Sequence, residues 1–285
     1  MNGFINLYKP SGMSSAYALS KIKKVLGKKI KCGHMGTLDP MASGVLPVAV
    51  GKSTRLFNYL LDKDKEYLAE FTFGYQTDTL DADGKVILSG GSIPTPSEVI
   101  NACKKLIGKI EQIPPAYSAK NVAGTRSYVL ARQGIEVELK PKTVEIDDIL
   151  VTQTDRQDTF SFLVKCKGGT YIRSICRDVA TLLNTYATMT KLVRKKSGLF
   201  SEENAISAQD INTIYDIKRH LINPEDTLYF DEILLNDSKF DDLINGRRCC
   251  VDKIDGLYKV FDKDGFIGVC QLQDKNLTIK AYIKD

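Results

Sequence analysis

Between residues 159 and 183 the apolar pattern changes its period, from two to about 3.6, across a Gly168-Gly169 break. Phe160, Phe162, Val164 and Cys166 share one face of a strand. Ile172, Ile175, Cys176, Val179, Leu182 and Leu183 then recur at i, i+3, i+4, i+7, i+10 and i+11, the spacing of a helix with one apolar stripe. A strand leading straight into such a helix calls for a sheet with helices laid against it.

The rest of the chain fits that frame. Tyr67–Phe73 alternates, with Tyr67, Ala69, Phe71 and Phe73 pointing inward, and residues 143–152 read as a further strand. Residues 14–26 read as a helix capped by Ser14 or Ser15, with Leu19, Ile22, Val25 and Leu26 on one face and Gly27 at its end. Thr95-Pro-Ser-Glu98 is a capping box, and the helix behind it is expected to bury Val99, Ile100, Cys103, Leu106 and Ile107. The stretch 112–134 opens extended, because its proline pair forbids helix, and is expected to turn helical near 127–132. Strands and helices alternate irregularly, so the expected fold is α+β, with a mixed, mainly antiparallel sheet flanked by helices. From about residue 232 a short helix (238–243) and strands at 257–261, 266–271 and 277–283 form a small, mostly β module. The expected division is 1–228 and 232–285.

A chain of 285 residues, 43% hydrophobic and 26% charged, can bury a sizeable core as a soluble protein. Its net charge of +5 permits a polyanionic partner without requiring one. Seven cysteines, an odd number with no CxxC pair, argue against a disulfide framework and against a zinc ribbon, and suit a reducing cytoplasm. Two histidines leave little for a His-based metal site. The N-terminus lacks the apolar core of a signal peptide, and no apolar run reaches membrane-spanning length.

Asp39 lies in the loop CGHMGTLDPMASG, where Pro40 holds it extended and glycines at 33, 36 and 44 let a backbone pass close to something bulky. Alone it reads first as an Asp-Pro turn. Arg173 stands in the first turn of the helix after Gly168-Gly169, where it opposes the macrodipole unless an anion is near; a surface pair with Arg177 and Asp178 is the other reading. Tyr67 is either a core tyrosine or a ring facing a cleft. Lysines at 21, 23, 24, 28, 29 and 31, and the run KLVRKK at 191–196, are solvated faces or phosphate contacts. The segment TDTLDADG at 77–84 reads as a turn-rich loop.

Taken together, GHMGTLDPMASGVLPVAVG, KEYLAEFTFG, QIPPAYSAKNVAGTRSYVLAR and GGTYIRSICRDVA resemble, in order and spacing, the TruB family of tRNA pseudouridine-55 synthases. The opening NLYKPSGMSS resembles that family's Lys-Pro motif, and the likeness covers most of residues 1–200. The tail resembles a reduced PUA-type RNA-binding module. The resemblance implies that Asp39 is the essential carboxylate, that Tyr67 stacks on the target base, and that Arg173 pairs with the aspartate. It further implies that His34 takes the place of the flipped base, that Lys9 lies beside the active site, and that Tyr171 and Leu192 line the uridine pocket. Met35, Met41 and Ser43 depart from the commoner family residues but conserve size.

The implied reaction isomerises a T-loop uridine of tRNA without metal or organic cofactor, in a cytoplasmic monomer with no obligate protein partner and no membrane association. Three alternatives remain at this level: the catalytic subunit of a guide-RNA-directed pseudouridylase, a tRNA-binding folding factor with secondary catalysis, and a hydrolase using Asp39 with His34.

Overall fold

The structure, a computed structural model, describes residues 1–60, 63–118, 121–122, 125–126, 133, 135 and 139–284. The expected helix near 127–132 lies outside these residues.

The alternating segments pair into one mixed sheet, eleven-stranded among the described residues. Its principal strands are β1 (Gly3–Lys9), β2 (Cys32–His34), β3 (Ser43–Val50), β4 (Lys65–Phe73), β5 (Gly108–Gln112), β6 (Lys142–Gln153), β7 (Thr159–Cys166) and β8 (Ala187–Ser197). Across the sheet the order is β1, β3, β8, β4, β7, β6, β5, and every contact in that series is antiparallel except β3 with β8. Three helices of the main body are α1 (Ser15–Leu26), α2 (Pro96–Lys104) and α3 (Ile172–Leu182). Ser14 caps α1 by accepting from the Tyr17 N–H, and the capping box of α2 forms between Thr95 and Glu98. The α+β fold expected from the periodicities is the fold observed.

Three side chains assigned to apolar faces are exposed instead. Ile100 and Ile107 are 38% and 41% exposed, and Leu182 is 41% exposed. Ile100 lies one residue from Val99 and so about 100° round the helix from it, while Ile107 falls beyond the end of α2. Leu182 keeps nearly the angle of the buried Ile175, seven residues earlier, but it is the last residue of α3. Val99, Cys103, Ile172, Ile175, Cys176 and Val179 are buried as the pattern requires.

A four-stranded sheet follows, built from β9 (Asp231–Leu234), β10 (Gly256–Asp262), β11 (Gly265–Gln273) and β12 (Asn276–Tyr282), with α4 (Asp237–Ile244) beside it. The sequence pattern missed β9, which pairs parallel with β10. An apolar cluster joins this unit to the back of the main sheet: Phe4, Val45, Ala49 and Leu56 pack with Val269, Ala281 and Ile283. Asn2 Nδ2 adds a bond to the Ile283 carbonyl at 2.9 Å, and Arg55 Nη1 one to the Tyr282 carbonyl at 2.8 Å.

The parallel seam between β3 and β8 is only two residue pairs long, Ser43 with Val193 and Gly44 with Arg194. Gly44 has φ +109°, and a Cβ there would lie 2.3 Å from the Arg194 carbonyl oxygen. Neither the strained φ nor the backbone contact can relax cheaply. Gly44→Ala is therefore expected to destabilise the chain by about 3 kcal/mol or more. Denaturant unfolding measures this directly, and a loss below about 1 kcal/mol would show that the seam yields.

Candidate active site

One row of residues runs across the sheet and explains where the site lies. Lys9 pairs with Gly44, Gly44 with Arg194, Arg194 with Tyr67, and Tyr67 with Val164. Four strands thus place Lys9, Arg194 and Tyr67 in line, beneath the loop that carries Asp39.

That loop is clamped from below. Lys9, wholly buried, directs its ammonium at the carbonyls of Met13 (2.6 Å), Pro10 (3.0 Å), Pro40 (3.3 Å) and Ala42 (2.5 Å). Ser15 Oγ donates to the Leu38 carbonyl at 2.8 Å and accepts from the Leu38 N–H at 2.9 Å. The Gly12 N–H meets the Pro40 carbonyl at 2.9 Å. The start of α1 and the turn before it therefore fix the backbone on both sides of Asp39.

Arg173 fixes the carboxylate itself. Its Nη2 donates to Asp39 Oδ1 and to the Tyr117 carbonyl, both at 2.9 Å, and its Nη1 donates to the Thr79 carbonyl at 3.0 Å. Nη1 also stands 3.3 Å from Asp81 Oδ2. Two carboxylates thus compensate a cation seated in the first turn of α3, where the macrodipole opposes it. Arg177 turns away to Asp178 instead, at 2.8 Å. Among the described residues no hydrogen bond reaches Asp39 Oδ2, and the side chain is 29% exposed against 5% for Arg173.

A cavity of about 320 Å³ opens above the pair, lined by Leu38, Asp39, Lys65, Tyr67, Ser118, the Gly168–Arg173 turn, Leu192 and Arg194 among others. Burial raises the Asp39 pKa, with Arg173 and then Lys9 pulling it back. Burial also raises the Tyr67 pKa, so the ring enters any reaction as a neutral phenol.

The structure brings Asp39, Tyr67, Arg173, Tyr171 and Leu192 together around this cavity. His34 stands on β2 just before the loop and does not line it. Lys9, expected beside the active site, lies under it and is occupied with backbone carbonyls; its reach is to the loop, not to solvent. Arg194, read from sequence as a phosphate contact, points inward instead: it is 2% exposed and donates to the carbonyls of Val45 (2.6 Å) and Gly36 (3.1 Å). Its neighbours Lys191 and Lys195 pair with Glu70 and Glu202, so the 191–196 run is not a continuous phosphate stripe. Asp81, Lys65 and Ser118 were not singled out in the sequence. Only Asp81 carried a signal, since a cation at the start of a helix demands anions and the TDTLDADG loop holds three aspartates. Among the described residues no cluster of metal-ligating side chains occurs.

The comparisons place this fold and cavity in the pseudouridine synthase class. A family description, "TruB family pseudouridylate synthase (N terminal domain)", matches residues 23–172. The "tRNA pseudouridine synthase B" of Rickettsia akari (strain Hartford) is 40% identical over 262 residues, covering 90% of this chain and 89% of that protein. The protein of the same name from Clostridium perfringens (strain 13 / Type A) is 38% identical, with 99% of each covered. Among solved structures, a Cbf5-Nop10-Gar1 complex contains a chain 26% identical with a TM-score of 0.71, covering 99% of this chain and 84% of that one. The chain belongs to the TruB family of pseudouridylate synthases.

Burial pushes the Lys9 pKa down from 10.5 to about 8, with Asp39 opposing the shift and Arg194 adding to it. Between pH 8 and 10.5 the folded chain has released a proton that the unfolded chain keeps, so this group adds stability as pH rises through that window. The unfolding free energy of the native chain, relative to Lys9→Met, is expected to climb by up to about 3 kcal/mol across it. Paired denaturant titrations at the two ends measure the change, and a flat difference overturns it.

Proposed function

We propose that this chain converts the uridine at position 55, in the T-loop of tRNA, to pseudouridine. The observation that carries this reading is the Asp39–Arg173 pair, buried on the arginine side and open to a nucleotide-sized cavity on the other. The pairing holds Asp39 Oδ1 and leaves Oδ2 to act on the sugar, while Arg173 offsets the burial that disfavours the ionised form. The C1′–N1 bond breaks, the base turns and C1′ joins C5; the C5 proton is lost and N1 gains one, so substrate and product are isomers. Tyr67 lines the same cavity from β4, and in this reading it stacks on the uracil and passes the C5 proton on through its phenol or a water.

A base inside folded RNA must leave its stack to reach Asp39, at a cost of a few kcal/mol. Stacking on an aromatic ring recovers about 1–3 kcal/mol. His34, at the end of β2 outside the cavity, fills the vacated place in the RNA, and Tyr171 and Leu192 hold the uracil. The exposed lysines of α1 take phosphates, and the unit from residue 232 to 285 adds further RNA contact. The reading extends to a monomer that works in the cytoplasm without an obligate protein partner. No helix of the described residues is long and apolar enough to cross a membrane.

Incubating the purified chain with an unmodified tRNA transcript, then reading carbodiimide adducts by primer extension, is expected to show one stop in the T-loop. Asp39→Asn should abolish the stop while keeping tRNA affinity. Tight binding without any stop would leave a folding factor in place of an enzyme. Because burial raises the Asp39 pKa and the ionised form is the reactive one, the acid limb of kcat/KM should lie above 3.8, the ordinary aspartate value. A limb at or below that value would mean that Arg173 outweighs desolvation.

A further inference from the structure

Ser118 is 3% exposed, yet it lines the cavity beside Asp39 and Arg173. Its Oγ has no hydrogen-bond partner among the described residues. Burying a hydroxyl without a partner is costly, and an alanine would avoid that cost if packing were the only demand at this position. The backbone around it is held: its own N–H donates to the Ala116 carbonyl at 3.0 Å. The preceding carbonyl, that of Tyr117, accepts from Arg173 Nη2, the nitrogen that also holds Asp39 Oδ1. Ser118 is therefore tied to the carboxylate through one guanidinium nitrogen, whereas Tyr67 and Leu192 stand on the strands β4 and β8.

We propose that Ser118 Oγ binds the ribose of the flipped nucleotide by exchanging a hydrogen bond with its 2′-hydroxyl. The proposal rests on the uridine-isomerising reading above. In that reading Asp39 acts on a sugar carbon, C1′ or C2′, so the 2′-hydroxyl comes to rest beside the carboxylate and its arginine. A serine hydroxyl both donates and accepts, as the 2′-hydroxyl does, and an unpartnered one matches it in either direction. The contact makes this side of the cavity a sensor of ribose against deoxyribose at the target.

The test is a binding cycle in the full chain, in the Asp39→Asn background so that the uridine stays unreacted. Two T-arm hairpin RNAs are compared, one with uridine at the target and one with 2′-deoxyuridine there. Ser118→Ala is expected to weaken the uridine hairpin about tenfold and to leave the 2′-deoxyuridine hairpin unchanged. In the otherwise native chain the same substitution should lower kcat/KM and leave Tm equal or higher, since no intramolecular bond is lost. Equal weakening of both hairpins overturns the ribose contact, and a drop in Tm with no change in either affinity makes Ser118 a packing residue. If the native chain forms no pseudouridine on the uridine hairpin, the isomerase reading itself fails, separately from the cycle.

Discussion

The close approach of Gly44 to the backbone of Arg194 is the constraint on which the site depends. It is the seam where β1 and β3 join the antiparallel body of the sheet, and it is two residue pairs long. Everything that acts on the cavity is assembled from both sides of it. Lys9 and the Asp39 loop come from the N-terminal side, while Tyr67 and Leu192 come from the body. Arg194 crosses the join with its side chain as well, bonding the Val45 and Gly36 carbonyls from β8. A side chain at Gly44 would push the two halves apart and move Asp39 relative to Tyr67. Displacement of about 1 Å between reacting groups is enough to cost large factors in rate.

Buried charge is the second constraint, and the chain handles it with carbonyls as much as with counterions. Among the described residues Lys9 has no carboxylate hydrogen-bond partner; it is surrounded by four backbone oxygens of the turn and loop, of which that of Pro40 also accepts from the Gly12 N–H. Arg173 uses the same device on one side, through Thr79 and Tyr117, and carboxylates on the other. The cations are thus structural fasteners whose fields also reach Asp39. Removing one leaves oriented carbonyls unsatisfied, which costs more than the interaction was worth.

How much of this was legible in the sequence depends on whether a signal was local. Period-two and helical patterns gave β4, β7, α1 and α3 nearly to the residue, because burial on one face dictates them. Asp39, Tyr67 and Arg173 were legible as candidates because each was odd where it stood, and family resemblance joined them. The inward turn of Arg194 was not legible: in the sequence it sits among lysines, and only the pairing of β8 with β3 and β4 decides which of the four cations faces the interior. Asp81 was hidden for a similar reason, since its partner lies 92 residues away on α3. Exposed Ile100 shows the converse error, an apolar residue credited to a stripe from which the helical angle excludes it, whereas exposed Leu182 has the angle of the stripe but stands at the end of its helix.

Under the proposed function, the unequal exposure of the Asp39–Arg173 pair bears on how catalysis would begin. Arg173 is already dry, held by two carbonyls and two carboxylates, and an entering nucleotide changes its surroundings little. Asp39 keeps 29% of its side chain exposed, and in the proposed reaction an entering nucleotide would take the place of the water there. Losing this solvent weakens screening and strengthens the hold of Arg173 on the ionised carboxylate, just as the sugar comes within reach. In that reading water would leave the anion while its counterion stays in place, so an entering nucleotide would sharpen the direction of Oδ2 without reorganising the pair.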